Sequence, residues 1–304
     1  MLNFRDITLE DKNWIDELLQ YSDYMSTEYC FTSLYTWRNI YRTQVCRYKD
    51  FVLIRSEGSG VPNYLFPAGR GSDADIQEMM DLYSRNASSL GHPMILAGVL
   101  NTQKELLERL YPNKFSFELT RNSFDYMYLA EDLISLRGKK FQSKRNHIAR
   151  FRELPDWSYE PLSAVNLPEC EKMNGEWCAK YGCNHDLSMV QEACSVRCAI
   201  HHFEQLQLKG GLLRLAGKVV AFTIGELLNS NTMIIHVEKA FADIKGAYPA
   251  ISQEFLSHQM QSQNQIGFQY VNREDDAGDR GLRTAKMQYN PVFLLEKWTG
   301  VAGR

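Results

Sequence analysis

Three strand-like runs in close succession, 211–215, 218–228 and 232–240, constrain this chain more than any other feature. They are joined by Ala216-Gly217 and by Asn229-Ser230-Asn231, links too short for a crossover, so the three runs form an antiparallel meander. Helical patterning precedes the meander, and a helix (about 246–261), a strand (268–272), a short helix (281–287) and a last strand (292–298) follow it. The first half shows the same order. A Thr8-x-x-Asp11 cap opens a helix with Trp14, Ile15, Leu18 and Leu19 at helical spacing, and a second helix over 31–41 carries Leu34, Trp37, Arg38 and Tyr41. Strands at 44–48, 51–55 and 63–66, a helix at 73–90, a strand at 93–98, a helix at 102–111 and strands at 115–118 and 124–129 complete it. The repeat is one of pattern, not of sequence. It predicts an α+β chain of two similar domains, 1–135 and 136–304.

Composition narrows the function. The chain has 304 residues, 44% hydrophobic, with a net charge of −3, so any contact with nucleic acid is local rather than a general coating. The longest apolar run, from Val219 to Leu228, is broken by Gly225 and Glu226 and falls short of the ~18 residues that span a bilayer. Charges stand where a signal peptide has its apolar segment, which predicts a cytoplasmic protein. Seven cysteines include Cys170, Cys178, Cys183, Cys194 and Cys198, with His201 and His202 close behind. No CxxC pair is among them, and Cys194, Cys198 and His201/His202 have the spacing of a buried helix face, so no metal site is expected. G-x-S-x-G, Walker-type loops and zinc-protease helices are absent from the sequence.

Residues 137–152 hold seven Lys or Arg, one His and no acid. As a helix, the stretch puts Phe141, Ile148 and Phe151 on one face, with Lys139, Lys140, His147 and Arg150 toward the other. Cations packed at this density repel one another, and a polyanion relieves the repulsion. A phosphate-rich ligand is one reading; cations paired with acids elsewhere in the fold is the other.

The order of elements resembles that of the GNAT acyltransferase fold, here in tandem. Gly138-Lys-Lys-Phe-Gln-Ser-Lys-Arg-Asn-His-Ile-Ala-Arg150 resembles the G-K-K-x-x-x-x-R-N-x-x-x-R helix of phosphatidylglycerol lysyltransferases and, more loosely, the Arg-Asn helix of Fem-type peptidyltransferases. Val271-Asn-Arg-Glu-Asp-Asp-Ala-Gly278 with Gly281-Leu-Arg-Thr-Ala-Lys286 resembles the same lysyltransferase-like family. The resemblance implies two GNAT-like domains, each a mixed, mostly antiparallel sheet flanked by helices. It implies transfer of an acyl or aminoacyl group, without a required cofactor, from aminoacyl-tRNA or acyl-CoA to a small-molecule or peptide acceptor; a non-catalytic GNAT-like scaffold that only binds a partner or metabolite is the alternative. On this reading Lys139, Lys140, Lys144, Arg145, Asn146 and Arg150 meet the donor, in one form the acceptor end of tRNA.

A GNAT donor loop opens a helix, where backbone N–H groups and the dipole favour anions. The matching residues are 242–249, with Lys245, Gly246 and Tyr248 as candidates; Asp243 and Tyr248 depart from the family pattern and weaken coenzyme A binding. His236 and Glu238, two apart on a strand, share a face and are candidates for proton removal from an incoming amine, with Glu226 as a further carboxylate. Their alternative is cross-strand ion pairing with Lys239 or Arg214. Directly after a strand comes Asn272-Arg273-Glu274-Asp275-Asp276, a position where crevice ligands collect. Asp275 or Asp276 would orient an α-amino group, and Arg283 and Lys286 would meet phosphate or neutralise those acids.

Overall fold

Alternation and helical spacing translate into twenty-six elements in a computed structural model of the chain, which describes residues 2–58, 60–182, 187–261 and 267–303. The first half holds β1 (Arg5–Asp6), α1 (Lys12–Ser22), α2 (Phe31–Thr36), α3 (Arg38–Tyr41), β2 (Gln44–Tyr48), β3 (Phe51–Ser56), β4 (Asn63–Tyr64), β5 (Ala68–Gly69), α4 (Asp73–Ser89), β6 (Ile95–Val99), α5 (Asn101–Leu110) and β7 (Phe115–Leu119). The second holds β8 (Asp125–Leu129), α6 (Ala130–Ser135), α7 (Gln142–Arg152), β9 (Trp157–Pro161), α8 (Leu167–Tyr181), α9 (Leu187–His201), β10 (Lys209–Leu215), β11 (Lys218–Leu227) and β12 (Thr232–Ala240). It continues with α10 (Ala247–Gln261), β13 (Tyr270–Asn272), α11 (Arg280–Met287), β14 (Phe293–Leu295) and β15 (Trp298–Ala302). The helix expected over 31–41 is two, because Trp37 leaves helical geometry at φ −98°, ψ 2°.

The class is the expected α+β with two mixed sheets. One runs β1-β2-β3-β4-β6-β15-β7 with β5 beside β3; the other runs β14-β8-β13-β12-β11-β10-β9. The meander pairs antiparallel as its short links require. Each sheet also contains a parallel pair, β4 with β6 and β12 with β13.

Two compact units divide the chain differently from a cut at 135/136. The first comprises Met1–Tyr126, Asp275–Arg283 and Leu294–Arg304; the second comprises Met127–Glu274 and Thr284–Phe293. The strand expected at 292–298 is in fact two short ones, and the later of them, β15, sits inside the first sheet between β6 and β7. Sequence order could not show this, because periodicity carries no information about which sheet a strand joins.

Helix α4 covers the first sheet. Ser72 caps it through the Asp75 N–H at 3.3 Å, and Ile76, Met79, Met80 and Tyr83 pack with Leu53, Tyr64 and Leu96. In the second unit α7 behaves as its spacing predicts. Phe141, Ile148 and Phe151 are buried with Leu213, Val220, Ala221 and Ile251, each burial stabilising by roughly 1.5–3 kcal/mol. The apolar face therefore anchors the cationic helix.

Candidate functional site

In the second unit β12 and β13 separate after a short pairing. Their parallel pairing lasts three residues, Thr232–Tyr270, Met233–Val271 and Ile234–Asn272, while β12 stays paired with β11 as far as Ala240. Asn272 ends β13 by accepting the Glu274 N–H on its side-chain oxygen at 2.6 Å, and Glu274 takes a left-handed φ of 55°. On the other side of β12 the ladder steps from Ile224–Val237 to Gly225–Ile235, leaving His236 as the extra residue of a bulge. Gly225 is required there, since a Cβ would lie 2.3 Å from the Ile234 carbonyl oxygen. Bulges re-aim side chains, and this one aims His236 at the residues that follow β13.

His236 sits between two carboxylates. Nδ1 is 2.9 Å from Glu274 Oε1 and Nε2 is 3.0 Å from Glu226 Oε1. Next to it on β12, Glu238 accepts from Arg273 Nη2 at 2.6 Å, with both side chains about nine-tenths buried (10% and 11% exposed). That pair is incomplete: Glu238 Oε2 and Arg273 Nη1 are buried and make no hydrogen bond. The Arg273 guanidinium lies 4.6 Å from the Tyr289 ring centroid and Lys144 Nζ lies 4.0 Å from the same centroid. Burial, helped by Arg273, holds the Lys144 amine below the ordinary lysine range. For Arg273 burial acts in the same direction, but Glu238 outweighs it and keeps the guanidinium firmly charged. Lys286 Nζ clips the turn by donating to the carbonyl oxygens of Arg273 (2.6 Å) and Glu274 (3.2 Å).

Of the residues expected from sequence, His236, Glu238, Asn272, Arg273, Glu274, Lys286 and Lys144 are thus brought together. The acids one step further on are not. Asp275 and Asp276 belong to the first unit, where the Asp275 carboxylate accepts the Ala277 N–H at 2.9 Å. Asp276 is fully buried and accepts from Tyr126 (2.6 Å), Arg121 (3.2 Å), Arg283 (2.8 and 2.9 Å) and the Gly278 N–H (2.9 Å). Burial alone would raise its pKa, yet these donors hold it well below the usual carboxylate range. Arg283 neutralises this acid, the second of the two roles its position allowed.

The cations of 137–152 divide. Lys140 pairs with Asp132 (2.8 Å), Arg152 with Glu254 (2.5 Å), and Arg145 donates to the carbonyl oxygens of Leu136 and Gly138. Asn146 accepts from Gln142 at 2.8 Å. Lys139 and Arg150 are exposed. Lys144 alone of the seven reaches the Tyr289–Arg273 group. Gly246 has φ 91°, and a Cβ there would lie 2.1 Å from the His147 carbonyl oxygen, so the glycine seats the 242–249 loop against α7. Lys245 is exposed, and burial raises the Tyr248 hydroxyl above its ordinary range. Sequence reasoning missed Tyr289 and Tyr128, which carry no pattern of their own; only their contact with Arg273 marks them.

Burial pushes the Cys170 thiol up to about 12, His201 pairs with Glu171 at 2.9 Å, and Cys183 lies outside the described residues. Two open clefts in the second unit, of about 270 and 410 Å³, share Ala164, Phe203 and Glu204 and contain none of the expected site residues.

A profile of the phosphatidylglycerol lysyltransferase C-terminal family matches residues 21–300. The chain belongs to that family. Within this phosphatidylglycerol lysyltransferase-like family it is similar to a conserved protein of unknown function from Bacteroides thetaiotaomicron, with 36% identity over 100% of both chains and a TM-score of 0.93. L-PGS from Bacillus licheniformis is 14% identical over 86% of this chain and 84% of its own, with a TM-score of 0.62. FemX is 9% identical over 99% and 98%, with a TM-score of 0.59. These last two likenesses establish the fold. An uncharacterized Mycoplasmoides gallisepticum protein is 23% identical over 189 residues, which is 61% of this chain but only 59% of that protein's length. Among the described residues of this family member, no helix is long and apolar enough to cross a membrane.

Proposed function

We propose that the chain transfers an aminoacyl group from aminoacyl-tRNA to an amine or hydroxyl acceptor, where β12 and β13 separate. The observation that carries this reading is how the chain fills the loop that a CoA-dependent GNAT enzyme keeps open for its donor. The Ala242 N–H donates to Tyr181 Oη at 2.8 Å, and the Ala240 carbonyl accepts from Trp177 Nε1 at 3.0 Å. Asp243 pairs with Lys180 at 2.7 Å and Gly246 is seated on α7. A pyrophosphate would have to displace side chains from the backbone it needs and would meet the Asp243 carboxylate. A tRNA end asks less of this loop, since its phosphates are drawn to the exposed cations Lys139, Arg150 and Lys245.

In this reading Lys144 marks the inner limit of the cationic surface. His236, held by Glu226 and Glu274, moves the proton given up by the acceptor, and positioning supplies most of the rate. The acceptor is a small molecule or peptide, and the protein works in the cytoplasm, where charged tRNA is available. The test offers the purified protein a mixed aminoacyl-tRNA pool and, separately, coenzyme A. The expected result is binding of the pool at low salt, with no rise in melting temperature from coenzyme A, which must stabilise any native state it binds. A clear rise with coenzyme A, without binding of charged tRNA, overturns the reading.

A further inference from the structure

We infer that the buried Arg273–Glu238 pair reads the aminoacyl group itself: Glu238 Oε2 accepts from the α-ammonium of the donor, and Arg273 Nη1 donates to its ester carbonyl oxygen. This rests on the aminoacyl-transfer reading above and adds what distinguishes an aminoacyl from a plain acyl donor.

Buried side-chain polar atoms almost always find a partner, so two unpartnered atoms within one ion pair are a specific signal. One is an acceptor with negative charge and the other a donor with positive charge. A group that completes both must present a hydrogen-bond donor and an acceptor a few ångströms apart. An acyl thioester offers the carbonyl oxygen but no donor. A free phosphate carries between one and two negative charges at neutral pH and is repelled by Glu238. An aminoacyl ester offers both, because its ammonium is attached to the carbon next to the carbonyl. Glu226 and Glu274 add negative charge around His236 nearby, which favours a cationic group.

The pair is also braced by its neighbours. Tyr289 packs against the guanidinium at 4.6 Å, and Lys286 ties down the carbonyl oxygens of residues 273 and 274. A fixed N–H that faces developing negative charge needs no reorganisation during reaction. The step balances as follows: the acceptor's amine or hydroxyl attacks the ester carbonyl carbon, and a C–N or C–O bond forms. The carbonyl oxygen carries negative charge opposite Arg273 Nη1 and then returns to a double bond as the bond to the tRNA ribose oxygen breaks. The proton released by the acceptor ends on that ribose oxygen. The role expected of Asp275 or Asp276, orienting the α-amino group, passes to Glu238, because Asp276 already accepts five hydrogen bonds.

The experiment measures binding and ester loss with a mixed aminoacyl-tRNA pool and with the same pool N-acetylated on the α-amine. The native protein is expected to bind the free-amine pool about tenfold or more tighter, the scale of one lost charged hydrogen bond. Glu238→Gln, confirmed folded by its melting curve, is expected to reduce that preference to roughly twofold or less. Equal binding of both pools by the native protein overturns the inference while leaving aminoacyl transfer standing, as does a folded Glu238→Gln that keeps the full preference. Should Glu238→Gln fail to fold, the native protein's discrimination between an amino-acid methyl ester and its N-acetyl derivative decides the matter alone. If neither tRNA pool binds, the aminoacyl-transfer reading fails and takes the inference with it.

Discussion

Asp11 shows how one side chain gathers stability and what removes it. Its carboxylate accepts from the Thr8 N–H (2.8 Å), from Trp14 Nε1 (2.8 Å) and from Arg5, and it is 3% exposed. Burial pushes its pKa up, but the Arg5, Trp14 and Thr8 donors win and bring it down to about 2. A carboxylate with a depressed folded-state pKa stabilises the protein above its unfolded value, and that contribution disappears as pH falls from about 4 toward 2. Asp11→Asn is therefore expected to cost about 1–2 kcal/mol at pH 7, less than the full shift implies because Arg5 is half exposed, and to flatten the acid limb of a melting-temperature profile over that range. The Thr8-x-x-Asp11 spacing made this position legible before any coordinates. Glu238 and Asp276 were equally legible as candidates, yet only their partners separate them, Arg273 with an atom to spare against five donors that leave none.

At the scale of an element, α7 divides its residues between two tasks. Phe141, Ile148 and Phe151 hold it to the core, and three of its neighbouring cations are tied to local carboxylates or carbonyl oxygens. The high charge of 137–152 thus has two causes that composition cannot tell apart, local pairing and an exposed remainder. Lys139→Ala with Arg150→Ala removes two exposed cations without touching the apolar face. Melting temperature is expected to stay within a degree or two, while the slope of log affinity for charged tRNA against log salt falls by about one for each cation removed. An unchanged slope would mean that the nucleic acid lies elsewhere. The loop glycine at 246, a candidate for phosphate approach, also has the His147 carbonyl oxygen 2.1 Å from where a Cβ would stand.

At the scale of the molecule, the chain passes between its two units at 126/127, 274/275, 283/284 and 293/294. The closing segment completes the first sheet, and Lys297 fixes it there. Its ammonium meets Glu28 at 2.6 Å and Asp125 at 2.7 Å with side-chain exposure of 1%, while Asp125 also accepts the Thr27 N–H at 2.9 Å. Burial acts to lower the Lys297 pKa, but Asp125 and Glu28 override it and hold the amine above the ordinary lysine range. Lys297→Met leaves Asp125 buried without its cation, which is expected to cost about 3–5 kcal/mol in denaturant unfolding. A loss below about 1 kcal/mol would show that the network contributes little and that strand pairing alone retains β15.

The sequence by itself determined the α+β class, the meander and the amphipathic cationic helix, because turn length and side-chain period are local quantities. It also marked residues near 236–238 and 272–274 as site candidates, since charge in an apolar strand or directly after one is visible without coordinates. Only the tertiary structure decided which sheet receives residues 298–302, which acids are already satisfied, and that Tyr289 meets both Lys144 and Arg273. Those facts depend on pairing partners far apart in sequence, and a local pattern holds no record of the partner.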